Sequence, residues 1–198
     1  TVNPYYDATP AIVQEYMNLF AELTGRRYNL FDYVGAPDAE HVMILMGSGC
    51  EVAHETVEYL AGRGEKVGAI KVRLYRPFDA SAFISAIPET AKTISVLDRT
   101  KEPGNDGEPL YKDVITALSN AGRTGIKVLG GRYGLSSKEF CPSRVLAVFN
   151  NARGEQKSGF TVGINDDVTH TSIPVPDLNL GEEGLHQAVF LLAPTVPS

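Results

Sequence analysis

The sequence predicts an α/β domain of three layers, in which helices cover both faces of a mostly parallel sheet. Short apolar runs alternate with helical segments of about ten residues, which is the pattern of successive βαβ units. The runs are apolar at consecutive positions, as expected of strands buried on both faces of a parallel sheet. A length of 198 residues fits one such domain with short appendages.

The chain opens with a predicted helix. Asp7 or Thr9 is suited to cap it, and Pro10 fits its first turn, where no backbone N–H is needed. Apolar residues recur at helical spacing, namely Ile12, Val13, Tyr16, Leu19, Phe20 and Leu23. Residues 26–38 are polar and aromatic and are interpreted as a connector, so residues 1–38 form an N-terminal helix and connector outside the α/β domain.

Five strands and four helices follow in alternation. Strands are predicted at residues 41–46, 67–74, 93–97, 126–129 and 160–164. Helices are predicted at residues 51–60, 79–87, 110–118 and 142–151, with Asp79 as a cap and Pro142 at a helix start. The α/β domain is therefore expected to span residues 39–173. Residues 174–198 contain four prolines and no βα period, and are interpreted as an irregular tail or the truncated start of another domain.

Charge and cysteine content argue against several classes of function. The chain has 18 basic and 24 acidic residues and a net charge of −6, whereas nucleic-acid surfaces need a cationic excess. Two cysteines are too few for a disulfide scaffold or a four-ligand site, and the four histidines lack metal-ligand spacing, so no metal is expected here. The longest apolar stretch, residues 188–194, is far shorter than the ~20 residues that span a bilayer. We expect a cytoplasmic protein with no membrane partner.

The segment Gly47-Ser-Gly-Cys50 joins the first predicted strand of the α/β domain to its helix. A dinucleotide fingerprint would need a glycine where Val52 stands, so we interpret the segment as a tight βα turn. Cys50 and His54 are four residues apart on one helical face, and a hydrolase with a catalytic thiol is one hypothesis. The flanking glutamates oppose thiolate formation and favour a packed cysteine.

Charged side chains gather at the predicted carboxyl ends of strands, where α/β domains bind ligands. Arginine is suited to bidentate capture of phosphate or carboxylate, and the same geometry serves pairing with a neighbouring domain. A ligand site and an interface with a neighbouring domain are both compatible with these residues, and the interface is favoured. The ligand or interface candidates are Arg73, Arg76, Asp98, Arg99, Lys101 and Arg132, and no catalytic residue is assigned.

Five segments are informative when taken together. They are FDYVGAPD (31–38), KVRLYRPF (71–78), LDRTKEPG (97–104), GRYGLSSKEF (131–140) and FTVGINDDVT (160–169). They resemble segments that occur in this order in pyruvate:ferredoxin (flavodoxin) oxidoreductases, over residues 4–173. The resemblance is to the internal second domain of that large enzyme with the helix before it, and implies a fold like the C-terminal domain of transketolase. After Pro174 the chain departs from the tryptophan-containing family pattern.

The resemblance also implies a parent enzyme that decarboxylates pyruvate oxidatively with CoA to acetyl-CoA and CO₂. Such enzymes use thiamine diphosphate, Mg²⁺ and [4Fe-4S] clusters, and pass electrons to ferredoxin or flavodoxin. This chain lacks a Gly-Asp-Gly…Asn diphosphate motif and spaced cluster cysteines, so no cofactor is expected in it. The expected role is a non-catalytic domain that contacts other domains of the same oxidoreductase. The alternative is a module that binds CoA or a phosphate ligand through Arg73, Arg76 and the 98–104 loop.

Overall fold

The computed structural model describes residues 1–178 and residue 180, and it confirms the three-layer α/β architecture. The helices are α1 (Asn3–Thr24), α2 (Gly49–Ala61), α3 (Ala80–Ser85), α4 (Pro109–Asn120) and α5 (Pro142–Arg153), with a 3-10 turn at Leu135–Ser137. The strands are β1 (Phe31–Gly35), β2 (His41–Met46), β3 (Val67–Val72), β4 (Thr93–Asp98), β5 (Lys127–Arg132) and β6 (Phe160–Thr161). None of the described helices is long and apolar enough to cross a membrane.

The sheet has the strand order β1-β3-β2-β4-β5-β6. Strands β2 to β6 run parallel to one another, whereas the edge strand β1 pairs antiparallel with β3 along its full length. The interpretation of residues 26–38 as a connector is therefore wrong for residues 31–35. This edge strand buries only Phe31 among its five residues, so it lacks the continuous apolar run that marks the central strands.

Two apolar cores lie on opposite faces of the sheet. On one face α2 and α5 cover Met43 and Leu45, and on the other α3 and α4 cover Val42 and Ile44. Alternate residues of β2 thus enter different cores, because side chains of a strand point to opposite faces in turn. This two-sided burial explains why the strand is apolar at every central position.

Helix α1 begins earlier than predicted. It starts at Asn3, and Pro4 rather than Pro10 occupies the first turn, where the missing N–H costs nothing. Neither Asp7 nor Thr9 caps the helix, and Thr9 instead donates its hydroxyl to the carbonyl of Tyr5 at 2.7 Å. The predicted cap of α3 is confirmed, since the Asp79 carboxylate accepts the N–H of Ala82 at 2.9 Å.

Strand β6 contains two residues, fewer than the five predicted at 160–164. The predicted tail at 174–198 lies largely outside the described residues. The domain limits 1–38, 39–173 and 174–198 stay predictions.

Candidate functional site

The carboxyl ends of the parallel strands form one edge of the sheet. The loop after β4, the last residues of β5, the residues just before β6 and the loop after β6 line a groove there of about 510 Å³. We call it the strand-end groove. Its lining residues include Lys101, Glu108, Arg132, Gly159, Thr169 and Thr171. Polar and charged groups from three loops therefore meet at the position where α/β domains commonly bind ligands.

Asp98 ends β4 and is buried. Its carboxylate accepts the N–H groups of Leu110 at 3.0 Å and Tyr111 at 3.2 Å, in the first turn of α4. Burial raises the pKa of this carboxyl above its ordinary value, although the two N–H bonds act in the opposite direction. Negative charge is favourable at a helix N-terminus, so Asp98 holds α4 against the sheet.

Arg132 and Glu108 form an ion pair at the base of the strand-end groove. The Arg132 Nε lies 3.4 Å from a Glu108 carboxylate oxygen, and the two side chains are 15% and 9% exposed. Glu108 also accepts the N–H of Glu102 at 2.8 Å, and Arg132 donates to the carbonyl of Gly159 at 2.9 Å. The pair thus ties the loop after β4 to the end of β5 and to the residue that precedes β6.

The two predicted arginines after β3 are also paired within the chain. Arg73 binds the Asp32 carboxylate in β1, and its guanidinium lies over the Tyr28 ring at 4.4 Å. Arg76 lies 2.7 Å from a carboxylate oxygen of Asp113 in α4. Both charges are therefore compensated by neighbouring elements of the same domain, away from the strand-end groove.

Arg99 and Lys101 complete the predicted set. Within the described part of the chain neither has a carboxylate within ion-pair distance. Arg99 donates to the carbonyl of Gly134 at 3.4 Å, and Lys101 lines the strand-end groove with Arg132. The structure brings only Lys101 and Arg132 of the six candidates into this groove.

Sequence reasoning missed two charged residues, Glu108 in the strand-end groove and Lys71 in a separate cluster with His54 and Glu51. Lys71 is almost fully buried in β3, with its Nζ 2.7 Å from His54 Nδ1 and 3.4 Å from a Glu51 oxygen. A lysine inside an otherwise apolar strand signals a polar partner nearby, because lysine is rarely buried unless it is paired. Glu108 immediately precedes Pro109 at the start of α4, where an acidic residue is favourable.

The structure opposes the hypothesis of a catalytic thiol. Cys50 is buried and its Sγ lies 3.5 Å from the carbonyl oxygen of Leu45. Burial raises the pKa of the Cys50 thiol from 9.0 to about 11, so the thiol stays protonated at neutral pH. His54 is held between Lys71 and Glu58, the latter at 3.0 Å from its Nε2. Cys50 is therefore a packed core residue.

The raised pKa of Cys50 predicts a pH effect on stability. The thiol titrates at about 11 in the folded chain and 9.0 without burial, so its contribution is complete below pH 9 and is lost as pH rises to 11. At about 1.4 kcal/mol for each pKa unit, the loss is roughly 2 to 3 kcal/mol. Urea unfolding between pH 8 and pH 11 should show this loss in the wild type but not in Cys50→Ala. Cys141→Ala is the matched control, and an identical pH profile for Cys50→Ala and the wild type would refute the prediction.

The fold and the strand-end contacts define a three-layer α/β domain whose edge charges are largely paired with one another. The family model "Pyruvate:ferredoxin oxidoreductase core domain II" matches residues 39–139, just over half of the chain. The chain belongs to this family and is a domain of the oxidoreductase type that the sequence resemblance indicated.

The similar proteins are much longer. A pyruvate-flavodoxin oxidoreductase of Trichormus variabilis is 59% identical over 194 residues, which cover 96% of this chain and 16% of the relative. A pyruvate:ferredoxin oxidoreductase of Moorella thermoacetica is 61% identical over 176 residues, or 88% of this chain and 15% of the relative. The chain thus spans about a sixth of these relatives. Coverage of 96% also extends the similarity beyond the expected residues 4–173.

Among solved structures, a 2-oxoglutarate:ferredoxin oxidoreductase from Magnetococcus marinus aligns with 67% of this chain and 21% of its own. The TM-score is 0.46 and the sequence identity is 16%. A likeness of this size carries no argument about the ligands of this chain.

The residues here do not fit an iron–sulfur cluster of the kind that the resemblance implies for the parent enzyme. A [4Fe-4S] cluster needs four thiolates, and the sequence contains two cysteines, of which Cys50 is buried. In residues 1–178 no group of three or more histidine, cysteine, aspartate or glutamate side chains is arranged to hold a metal ion.

Proposed function

We propose that this chain is a non-catalytic structural and interface domain of a pyruvate:ferredoxin (flavodoxin) oxidoreductase. The observation that carries the proposal is the pairing of Arg73, Arg76 and Arg132 with carboxylates of the same chain. An arginine in such a pair must leave its carboxylate before it can bind a phosphate, and the cost is large where the pair is buried. The strand-end charges therefore serve to hold loops in place.

The proposal extends to the parent enzyme. It decarboxylates pyruvate oxidatively with CoA to acetyl-CoA and CO₂ and passes electrons to ferredoxin or flavodoxin in the cytoplasm. Other domains of the same polypeptide bind thiamine diphosphate, Mg²⁺ and [4Fe-4S] clusters. Support comes from the relatives, which are named for pyruvate with ferredoxin or flavodoxin and are about six times as long as the aligned chain.

A CoA- or phosphate-binding module is the second candidate. The observation that favours it is the strand-end groove, in which Lys101 has no carboxylate partner among residues 1–178 and stands near the paired Arg132. Arg73 and Arg76 give this candidate no support, since each is neutralised outside the groove. A CoA- or phosphate-binding module in this groove would therefore depend on Lys101 rather than on Arg73 or Arg76.

Kinetics of the full-length enzyme decide between the two candidates. We expect Arg76→Ala to leave the KM for CoA unchanged, because Arg76 is occupied by Asp113, and to lower stability by no more than about 1 kcal/mol, as is usual for an exposed pair. Lys101→Ala is the matched variant and should also leave this KM unchanged. A charged hydrogen bond to a ligand contributes about 1.5 to 3 kcal/mol, so a KM raised roughly 10- to 100-fold in either variant would establish the binding module instead.

A further inference from the structure

Helix α1 lies on the surface of the domain and is largely exposed. None of its 22 residues is buried. Val13 and Met17 pack partly against the core on the α3 and α4 side of the sheet, and Gln14 accepts the N–H of Leu30 at 3.2 Å and donates to the carbonyl of Tyr28 at 3.2 Å. The helix is therefore attached to the domain along one face only.

A second face of α1 is apolar and open to solvent. Tyr5, Ile12, Tyr16, Leu19 and Leu23 follow one another at intervals of 7, 4, 3 and 4 residues, which places them along one line of the helix. We call this line the outer stripe. Tyr5, Tyr16 and Leu23 are 77%, 67% and 86% exposed. A line of apolar side chains with coiled-coil spacing on a free surface marks an interaction site.

The outer stripe adjoins an apolar depression. Ile12 and Tyr16 of the stripe line a groove of about 410 Å³ together with Val13, Phe20 and Tyr28. The apolar surface is therefore shaped to receive side chains of a partner, since it combines a ridge with a groove.

The charges of α1 argue against a second copy as the partner. Its charged residues are Asp7, Glu15 and Glu22, and the helix has no lysine or arginine. Glu15 and Glu22 lie a further quarter turn around the helix from the stripe, so two copies joined through it would bring like charges together. A partner with basic side chains beside its apolar contact surface avoids this repulsion.

We propose that the outer stripe is the surface by which this domain docks onto another domain of the same polypeptide, one that presents an apolar surface bordered by lysine or arginine. The relatives contain enough additional polypeptide to form such a partner domain, since about five-sixths of their length lies outside the aligned segment. The inference rests on the proposed function as an interface domain and gives that interface its location and its chemistry.

Thiol accessibility in the full-length enzyme tests the docking. Leu19→Cys places a thiol on the outer stripe, and Ser119→Cys places one on an exposed position of α4, away from α1 and from its acidic flank. Each variant is treated with a maleimide reagent, and modification at that position is quantified by peptide mass spectrometry relative to the unfolded enzyme. We expect the thiol at position 19 to react at least ~10-fold more slowly than the thiol at position 119. Equal rates would overturn the proposal.

Two further arms identify the partner. Protection that is unchanged on 100-fold dilution supports a domain of the same polypeptide, whereas protection lost on dilution would show a second copy and overturn the proposal. Adding Glu15→Lys and Glu22→Lys to Leu19→Cys should restore rapid labelling, because the basic border is then repelled. Unchanged protection in that variant would refute the basic partner.

This test separates the docking surface from the proposed function. Labelling of α1 does not depend on CoA, and the KM for CoA does not depend on α1. Rapid labelling at position 19 with a normal KM in Arg76→Ala therefore refutes the docking surface alone. A raised KM with slow labelling refutes the purely structural role alone.

Discussion

Gly131→Ala is expected to destabilise the folded chain by about 2 to 3 kcal/mol, as overpacking of a well-filled core does. Gly131 lies in β5 directly opposite Phe160 of β6, and the Phe160 ring is completely buried against it. A Cβ at position 131 would overlap three atoms of this ring. Phe160 belongs to the α2 and α5 core, so its ring can move only by displacing side chains packed against it.

Urea unfolding of the purified chain measures this effect. Gly125→Ala is the control, since Gly125 is exposed and a Cβ there meets nothing within 4 Å. Adding Phe160→Leu to Gly131→Ala should recover part of the loss by removing ring atoms from the overlap, although Phe160→Leu alone destabilises. If Gly131→Ala unfolds at the same urea concentration as Gly125→Ala, the close contact between β5 and β6 is wrong.

The central strands could be predicted from sequence because burial on two faces leaves a direct trace. The run at residues 41–46 is apolar from Val42 onward and forms β2 within the predicted limits. Strand β1 left no such trace, since Asp32 lies between Phe31 and Tyr33 and the strand pairs on one side only. Edge strands are specified by the neighbour that they pair with, which is distant in sequence.

Residue types at the candidate site could be predicted, but their roles could not. Position in the sequence alone marks the strand-end arginines as candidates, whereas their role depends on partners from other elements. Asp32 lies 41 positions from Arg73, and Asp113 lies 37 positions from Arg76. An arginine without a carboxylate partner is free to bind a ligand, whereas the same arginine in an ion pair stabilises the fold. Only the tertiary structure distinguishes the two roles.

Glu108→Ala is expected to lower the free energy of unfolding by about 3 kcal/mol, because removing one partner of a largely buried ion pair leaves the other charge uncompensated. Among the described residues Arg132 would keep only its bond to the Gly159 carbonyl, and the N–H of Glu102 would lose its acceptor. The exposed pair between Lys112 and Glu102 provides the control, since Lys112→Ala should cost less than about 1 kcal/mol. Urea unfolding at pH 7 measures both variants.

A double-mutant cycle then shows whether the cost belongs to the pair. Arg132→Met removes the charge that Glu108→Ala leaves without a partner, so the double variant should be less destabilised than the sum of the two single changes. Additive losses would mean that Glu108 acts through the Glu102 loop alone. Strong coupling would mean that the ion pair itself holds the strand-end loops in place. A phosphate that displaced Glu108 from Arg132 would then loosen the same loops that form the groove.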